Sequence, residues 1–80
     1  MDYYELGQEL RRLRQEQGVT QQLMAEHLHM SRATLNAFET GRAGDVGLKK
    51  VLAMFNYLGK EISLRDKSPF PTFEELRDAL

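Results

Sequence analysis

The sequence has no cysteine, two prolines and no long apolar run. Without cysteine there can be no disulfide scaffold and no zinc module with thiolate ligands, and the composition suits a reducing cytoplasm. No apolar run approaches the roughly 20 residues of a transmembrane helix, and residues 1–20 are too charged for a signal peptide. We therefore expect a cytoplasmic protein that does not interact with a membrane.

The chain is also short. Eighty residues form one domain and are too few for an enzyme barrel or a doubly wound sheet. Apolar residues make up 41% of the sequence and charged residues 29%, proportions that indicate a globular rather than a disordered chain.

The sequence has no large excess of positive or negative charge, because 11 basic and 12 acidic residues give a net charge of −1. The charges are nevertheless unevenly placed: residues 1–10 carry −3, residues 11–60 carry +4 and residues 61–80 carry −2. Ordinary mixing of surface charges explains this distribution, and so does an anion-binding face in the middle of the chain.

Apolar residues recur at helical spacing through residues 1–59, as in the series Tyr3, Leu6, Leu10 and Leu13. Residues suited to start or end a helix divide this region into four helices. The expected N-caps are Thr20, Ser31 and Asp45, and the glycines expected to end helices are Gly18 and Gly59. We predict an all-α fold in which a compact helical domain occupies residues 1–60.

Residues 61–66 show a different pattern, because Ile62 and Leu64 alternate with polar residues as in a β-strand. The chain offers no second strand, so we predict that Ile62, Ser63 and Leu64 pair with the same strand of another copy in a homodimer. The alternative is an extended tail that packs both apolar side chains on the helical core.

Residues 67–80 form the predicted C-terminal tail. Residues 68–71, with two prolines, indicate a stiff extended connector. Thr72 and Glu75 then have the spacing of a capping box, which predicts a short fifth helix that carries Phe73, Leu76 and Leu80 on one side.

Residues 21–41 have the pattern of two short helices around a tight turn, and the small Ala25 allows the two to approach closely. The second of them, from Ser31, leaves short and polar side chains on its outer face, and such a face can enter the major groove of DNA. A purely structural helical hairpin would show the same apolar spacing.

Many positions in register over residues 6–59 carry a family resemblance: Leu6, Gly7, Leu10, Arg11, Leu13, Arg14, Gly18, Val19, Thr20, Gln21, Ala25, Ser31, Arg32, Thr34, Leu35, Phe38, Glu39, Gly41 and Arg42. With these residues the sequence resembles the Xre family of helix-turn-helix regulators, which includes Cro and the lambdoid phage repressors. The resemblance implies a lambda-repressor-like DNA-binding domain with residues 31–39 as the recognition helix.

Site residues follow from this resemblance. The base-contacting positions are Arg32, Ala33, Asn36 and Ala37. The phosphate-contacting positions are Gln21, Ser31, Thr34, Thr40, Arg42 and Lys49, although Lys49 would equally suit an ordinary solvated surface. Arg14 and Glu39 correspond to a family pair that forms a salt bridge between the first and third helices.

Two departures from the family pattern affect this prediction. His29 stands where the family has a glycine in a left-handed conformation, so we expect a strained turn residue rather than a metal ligand. Ala33 and Ala37 are shorter than the usual base-reading residues, which leaves most of the sequence recognition to Arg32 and Asn36.

Residues 38–48 and 58–64 are in addition similar to HipB-type regulators, the DNA-binding antitoxins encoded beside HipA-like kinases. That similarity implies a strand that pairs between protomers, repression of the protein's own operon from a palindromic double-stranded DNA operator, and a HipA-like toxin kinase as partner. A free-standing Xre regulator without a toxin, or a module that only inhibits a partner protein, are the alternatives.

Catalysis has no candidate residues in this sequence. The two histidines, His27 and His29, stand two positions apart and face different sides of a helix end, and no serine has an identifiable nucleophile context. We expect no enzymatic activity, no metal site and no cofactor.

Overall fold

The computed structural model describes residues 1–67 of the chain, and this part contains four α-helices. They are α1 (Tyr3–Glu16), α2 (Gln21–His27), α3 (Arg32–Glu39) and α4 (Leu48–Tyr57). The prediction of a small all-α domain with four helices before residue 60 is confirmed. The predicted connector and fifth helix lie outside the described residues.

The first three helices begin at side-chain N-caps. Asp2 Oδ1 accepts a hydrogen bond from the Glu5 N–H at 2.8 Å, and Thr20 Oγ1 accepts one from the Leu23 N–H at 3.1 Å. Ser31 Oγ accepts one from the Thr34 N–H at 3.0 Å. Each of these bonds satisfies a backbone donor that has no partner within the helix, so Thr20 and Ser31 act as the caps that the sequence predicted.

The prediction that Asp45 caps α4 is wrong. The N-cap position is Gly47, which has a φ of 92° and provides no side-chain cap. Asp45 Oδ1 accepts a hydrogen bond from the Gly47 N–H at 2.8 Å instead. The turn at Gly47 separates the carboxylate from the first turn of the helix, and Asp45 therefore stabilises the loop before α4.

Helix α3 lies at the centre of the fold and packs against both α1 and α2. Its Leu35 and Phe38 are fully buried, together with Leu10 of α1, Met24 of α2 and Met54 of α4. The close approach of α1 and α3 requires glycine at position 7, because a Cβ atom there would lie 2.0 Å from the Phe38 carbonyl oxygen. The core thereby fixes α3 while its outer side stays free.

The turn between α2 and α3 contains the predicted strained residue. His29 has a φ of 56° and is the non-glycine residue with positive φ in the described part of the chain. Histidine tolerates this left-handed region better than most residues do. The expectation of a left-handed turn at His29 is confirmed.

Residues 60–67 form neither helix nor strand in this single copy of the chain. Leu64 is 99% exposed and Ile62 37% exposed, so the alternative in which both side chains pack on the core is wrong for Leu64. A β-strand exists only through hydrogen bonds to a neighbouring strand, and pairing with a second copy stays a prediction.

Candidate nucleic-acid interface

The four predicted base-contacting residues lie on the outer side of α3. The inner side of this helix buries Leu35, Phe38 and Glu39. Arg32 and Ala33 are exposed in the first turn, and Asn36 and Ala37 are half-buried one turn later. The outer side is thus a ridge of short side chains with one arginine and one amide, which suits contact with base edges.

A buried ion pair joins α3 to α1. Arg14 Nε donates to Glu39 Oε2 at 2.7 Å, and Arg14 Nη2 donates to Glu39 Oε1 at 2.8 Å. The two side chains are 9% and 0% exposed, and the remaining Arg14 nitrogen, Nη1, donates to the Val19 carbonyl at 2.8 Å. The pair predicted from the family resemblance is therefore present, with the bidentate geometry that is common between arginine and a carboxylate.

The side chain of Gln21 extends this ion pair to the outer face of α3. Its Nε2 donates to Glu39 Oε1 at 3.0 Å and to Asn36 Oδ1 at 3.1 Å. Its Oε1 accepts from Arg32 Nε at 3.4 Å. The carboxylate thus orients the glutamine amide, and the amide in turn contacts both polar residues predicted to read bases.

Sequence reasoning assigned Gln21 only a phosphate contact and missed this network. In the structure both the amide nitrogen and the amide oxygen of Gln21 form hydrogen bonds within the protein. The distance of 18 positions between Gln21 and Glu39 hides that contact from any local pattern.

The predicted phosphate-contacting residues lie near the two ends of α3. At its start, the Ser31 and Thr34 hydroxyl oxygens are 2.8 Å apart. At its end, Thr40 Oγ1 donates to the Asn36 carbonyl at 2.8 Å and accepts from Arg42 Nε at 3.1 Å. The remaining candidate, Lys49, is exposed in the first turn of α4.

Carboxylates neutralise Arg12 and Arg14 but not the arginines at the two ends of α3. Arg12, on α1, forms ion pairs with Glu9 and Glu16. The hydrogen bond from Arg12 is the main reason why the pKa of the Glu9 carboxyl lies below its ordinary value. Within residues 1–67, Arg32 and Arg42 have no carboxylate partner, so their positive charge remains available to an anion.

Open grooves flank α3 on both sides. The groove towards α1 and α2 is lined only by arginine, threonine and amide side chains: Arg11, Arg14, Thr20, Gln21, Gln22, Arg32 and Asn36. The groove towards the following loop includes Ala33, Ala37, Asp45 and Lys50. Helix α3 therefore stands out as a ridge, which is the shape needed to enter a major groove.

Tyr3 holds the loop beside this ridge, a role that its place in the apolar series of α1 did not reveal. Its hydroxyl donates to the Gly44 carbonyl at 2.9 Å and accepts from the Val46 N–H at 3.1 Å. Its ring meets that of Phe38 edge to face, with centroids 5.3 Å apart. Loop residues 44–46 are thus fixed relative to α3.

The described part of the chain contains neither a metal-binding cluster nor a helix that could span a membrane. No group of three or more histidine or acidic residues there is placed to hold a metal ion, and His27 Nδ1 instead lies 2.8 Å from the Tyr57 hydroxyl. Among the same residues, no helix combines the length and apolarity that crossing a membrane requires.

Comparison with known protein families identifies the kind of domain that this chain forms. A family model described as a helix-turn-helix domain matches residues 5–67. No curated protein and no solved structure matched the chain.

The buried ion pair generates a stability prediction. Arg14→Ala leaves the Glu39 carboxylate buried without its cation, and we expect the free energy of unfolding to fall by roughly 3–5 kcal/mol. Urea denaturation followed by circular dichroism measures this loss.

Arg12→Ala is the matched control for that measurement. It removes an arginine of the same helix whose side chain is 57% exposed, and exposed pairs contribute about 1 kcal/mol or less. Equal losses in the two variants would contradict a special role for the buried pair.

Proposed function

Because a helix-turn-helix model matches most of its length, the chain belongs to the helix-turn-helix domain family, and we propose that it is a sequence-specific transcriptional repressor that binds a palindromic DNA operator as a homodimer. The family match supports the proposal that the protein is a DNA-binding regulator of Xre type. Repression is what the resemblance to HipB-type regulators implies, and the homodimer is inferred from the strand pattern of residues 61–66. We further propose that the protein acts in the cytoplasm and catalyses no reaction.

One observation carries the proposal of sequence-specific binding. Arg32 and Asn36, on the exposed ridge of α3, are both hydrogen-bonded to Gln21, whose amide is held in turn by the buried Glu39. Side chains that are already ordered lose less conformational entropy when they bind. Ordered side chains bring no advantage to a helix surface that contacts only water. On a surface that contacts base edges they increase the affinity for DNA.

The chemistry of these side chains indicates how bases would be read. An arginine can donate two hydrogen bonds to guanine O6 and N7, and an asparagine can make two bonds to adenine N6 and N7. The methyl groups of Ala33 and Ala37 allow close approach and contact with thymine methyl groups. Arg32 and Asn36 would then supply most of the discrimination between sequences.

Contacts to the DNA backbone would set the register of α3 in the groove. Thr40 and Arg42 are joined to each other at the C-terminal end of α3, and Ser31 and Thr34 lie at its N-terminal end. Positions at both ends of the helix suit the phosphates on the two sides of one major groove. Lys49, in the first turn of α4, would add a phosphate contact outside the helix-turn-helix.

A homodimer would place two copies of α3 in successive major grooves, with centres roughly 34 Å apart. The exposure of Ile62 and Leu64 supports pairing through residues 61–66, since a second copy would cover apolar surface that the single chain leaves in water.

A HipA-like toxin kinase is the partner that we propose for this repressor, which would make it the antitoxin of an autoregulated operon. Similarity of residues 38–48 and 58–64 to HipB-type regulators supports this part. Co-purification with the product of an adjacent kinase-like reading frame would test it, and a gene neighbourhood without such a frame would favour a free-standing regulator.

Substitution of Arg32 by alanine tests whether its guanidinium group contacts a base. Arg32→Ala should weaken binding to DNA from upstream of the protein's own gene by on the order of 1–3 kcal/mol per half-site and relax the preference at one base position. Fluorescence anisotropy titrations on that DNA and on a random duplex of the same length measure both effects.

Arg42→Ala is the control for Arg32→Ala, because it removes the same charge from a position assigned to phosphate. It should weaken binding to both duplexes by similar factors and reduce the dependence on salt. The assignment of Arg32 to base reading fails if Arg32→Ala also loses affinity equally on both duplexes.

Substitution within residues 61–66 tests the dimer. Ser63→Pro removes a backbone N–H and is expected to convert the dimer into a monomer, because proline disrupts a strand ladder. Sedimentation velocity ultracentrifugation of this variant beside Ser63→Ala measures the change. An unaltered dimer in Ser63→Pro would refute pairing through this strand.

A further inference from the structure

Two adjacent arginines of α1 differ sharply in their surroundings. Arg12 is held by Glu9 and by Glu16, the latter at 2.6 Å. Arg11 is exposed and has neither a carboxylate nor a side-chain hydrogen bond among residues 1–67. The positive charge of Arg12 is compensated within the protein, and that of Arg11 is not.

The position of Arg11 on α1 places it beside the recognition helix. It lies three residues before Arg14, which brings the two onto neighbouring positions of the same helical face. Arg14 reaches inward to Glu39 at the end of α3, whereas Arg11 stays at the surface next to that contact. Arg11 consequently belongs to the surface that surrounds α3.

Arg11 borders two grooves at once. One is the groove between α1, α2 and α3, where it stands with Thr20, Gln21 and Arg32. The other runs along α1 and reaches Thr40 at the end of α3; Arg12 also borders this groove, but with its charge compensated. Both grooves lie on the α1 side of the ridge, so Arg11 stands where a DNA strand that passes along this side would run.

The electrostatics of the first groove favour an anion. Its lining contains no acidic side chain, and the charge of Arg14 is compensated by Glu39. Arg11 and Arg32 remain as two uncompensated guanidinium groups on one open groove. Like charges repel one another there, and a phosphate group would relieve the repulsion and accept hydrogen bonds from a guanidinium fork.

We infer that Arg11 is a further DNA-contacting residue, whose guanidinium group binds a backbone phosphate of the strand that passes the start of α2. Helix α1 would thereby join the DNA interface, to which sequence reasoning assigned only α2, α3, the following loop and α4. The inference rests on the proposed function, because it adds one phosphate contact to the same DNA-binding surface.

Arg11→Ala and Arg12→Ala provide a matched test, since each removes one arginine charge from adjacent positions of the same helix. Anisotropy titrations at several salt concentrations on operator and random duplexes would compare their affinities with the wild type. Arg11→Ala should bind both duplexes about 5- to 30-fold more weakly as a dimer, because two phosphate contacts are lost. Its log–log salt slope should be smaller by about 2, one counterion per protomer.

For Arg12→Ala the expected change in affinity is about twofold or less, with an unaltered salt slope. Arg11→Lys should retain most of the salt slope, because it preserves the charge. Ethylation interference adds a direct readout: one phosphate in each half-site should show interference with the wild type and Arg12→Ala but not with Arg11→Ala.

Wild-type binding in these titrations establishes the DNA-binding function independently of the variants. If the wild type binds and Arg11→Ala matches it in affinity and slope, or if Arg12→Ala loses as much as Arg11→Ala, the inference is overturned while the proposed function stands. Absence of wild-type binding to either duplex would overturn both.

Discussion

The ion pair between Arg14 and Glu39 is the contact on which the rest of the molecule depends. Removing two charges from water is costly, and here the cost is offset by two direct hydrogen bonds, by the bond from Arg14 to the Val19 carbonyl and by the amide of Gln21. These groups come from α1, from the segment before α2, from α2 itself and from α3. Three helices therefore meet at one carboxylate, and their relative orientation is fixed there.

This arrangement connects stability to recognition. Glu39 is the last residue of α3 and Gln21 the first of α2, so the carboxylate orients an amide that lies beside the outer face of α3. Through that amide the buried pair reaches Arg32 and Asn36. It also explains how a chain with a net charge of −1 can present a basic surface: Glu9, Glu16 and Glu39 pair with Arg12 and Arg14 of α1, which leaves Arg11, Arg32 and Arg42 without a carboxylate partner among residues 1–67. With few such charges, nonspecific affinity for DNA should be modest, and specific contacts have to supply the remainder.

Features that depend on neighbouring residues could be predicted from the sequence. The four helices and the caps at Thr20 and Ser31 arise from local spacing and backbone preference, whereas the left-handed turn at His29 was expected from the family resemblance. The cap assigned to Asp45 was wrong because the start of α4 is set by the turn at Gly47, in a loop that Tyr3 holds from 41 positions away. Nor could spacing alone have paired Arg14 with Glu39, which are 25 positions apart; that prediction came from the family resemblance. The bonds of Gln21 were missed for the same reason, since they exist only once α2 and α3 have packed.

An NMR titration would show directly whether α3 is the element that reads DNA. Isotope-labelled protein would be titrated with the duplex from upstream of its own gene, and amide and guanidinium resonances would be followed. We expect the largest shifts in residues 31–42, with the Arg32 guanidinium among them, and no perturbation of the outer face of α4 around Leu52. Shifts confined to α4 and residues 60–67, with α3 unchanged, would contradict this expectation.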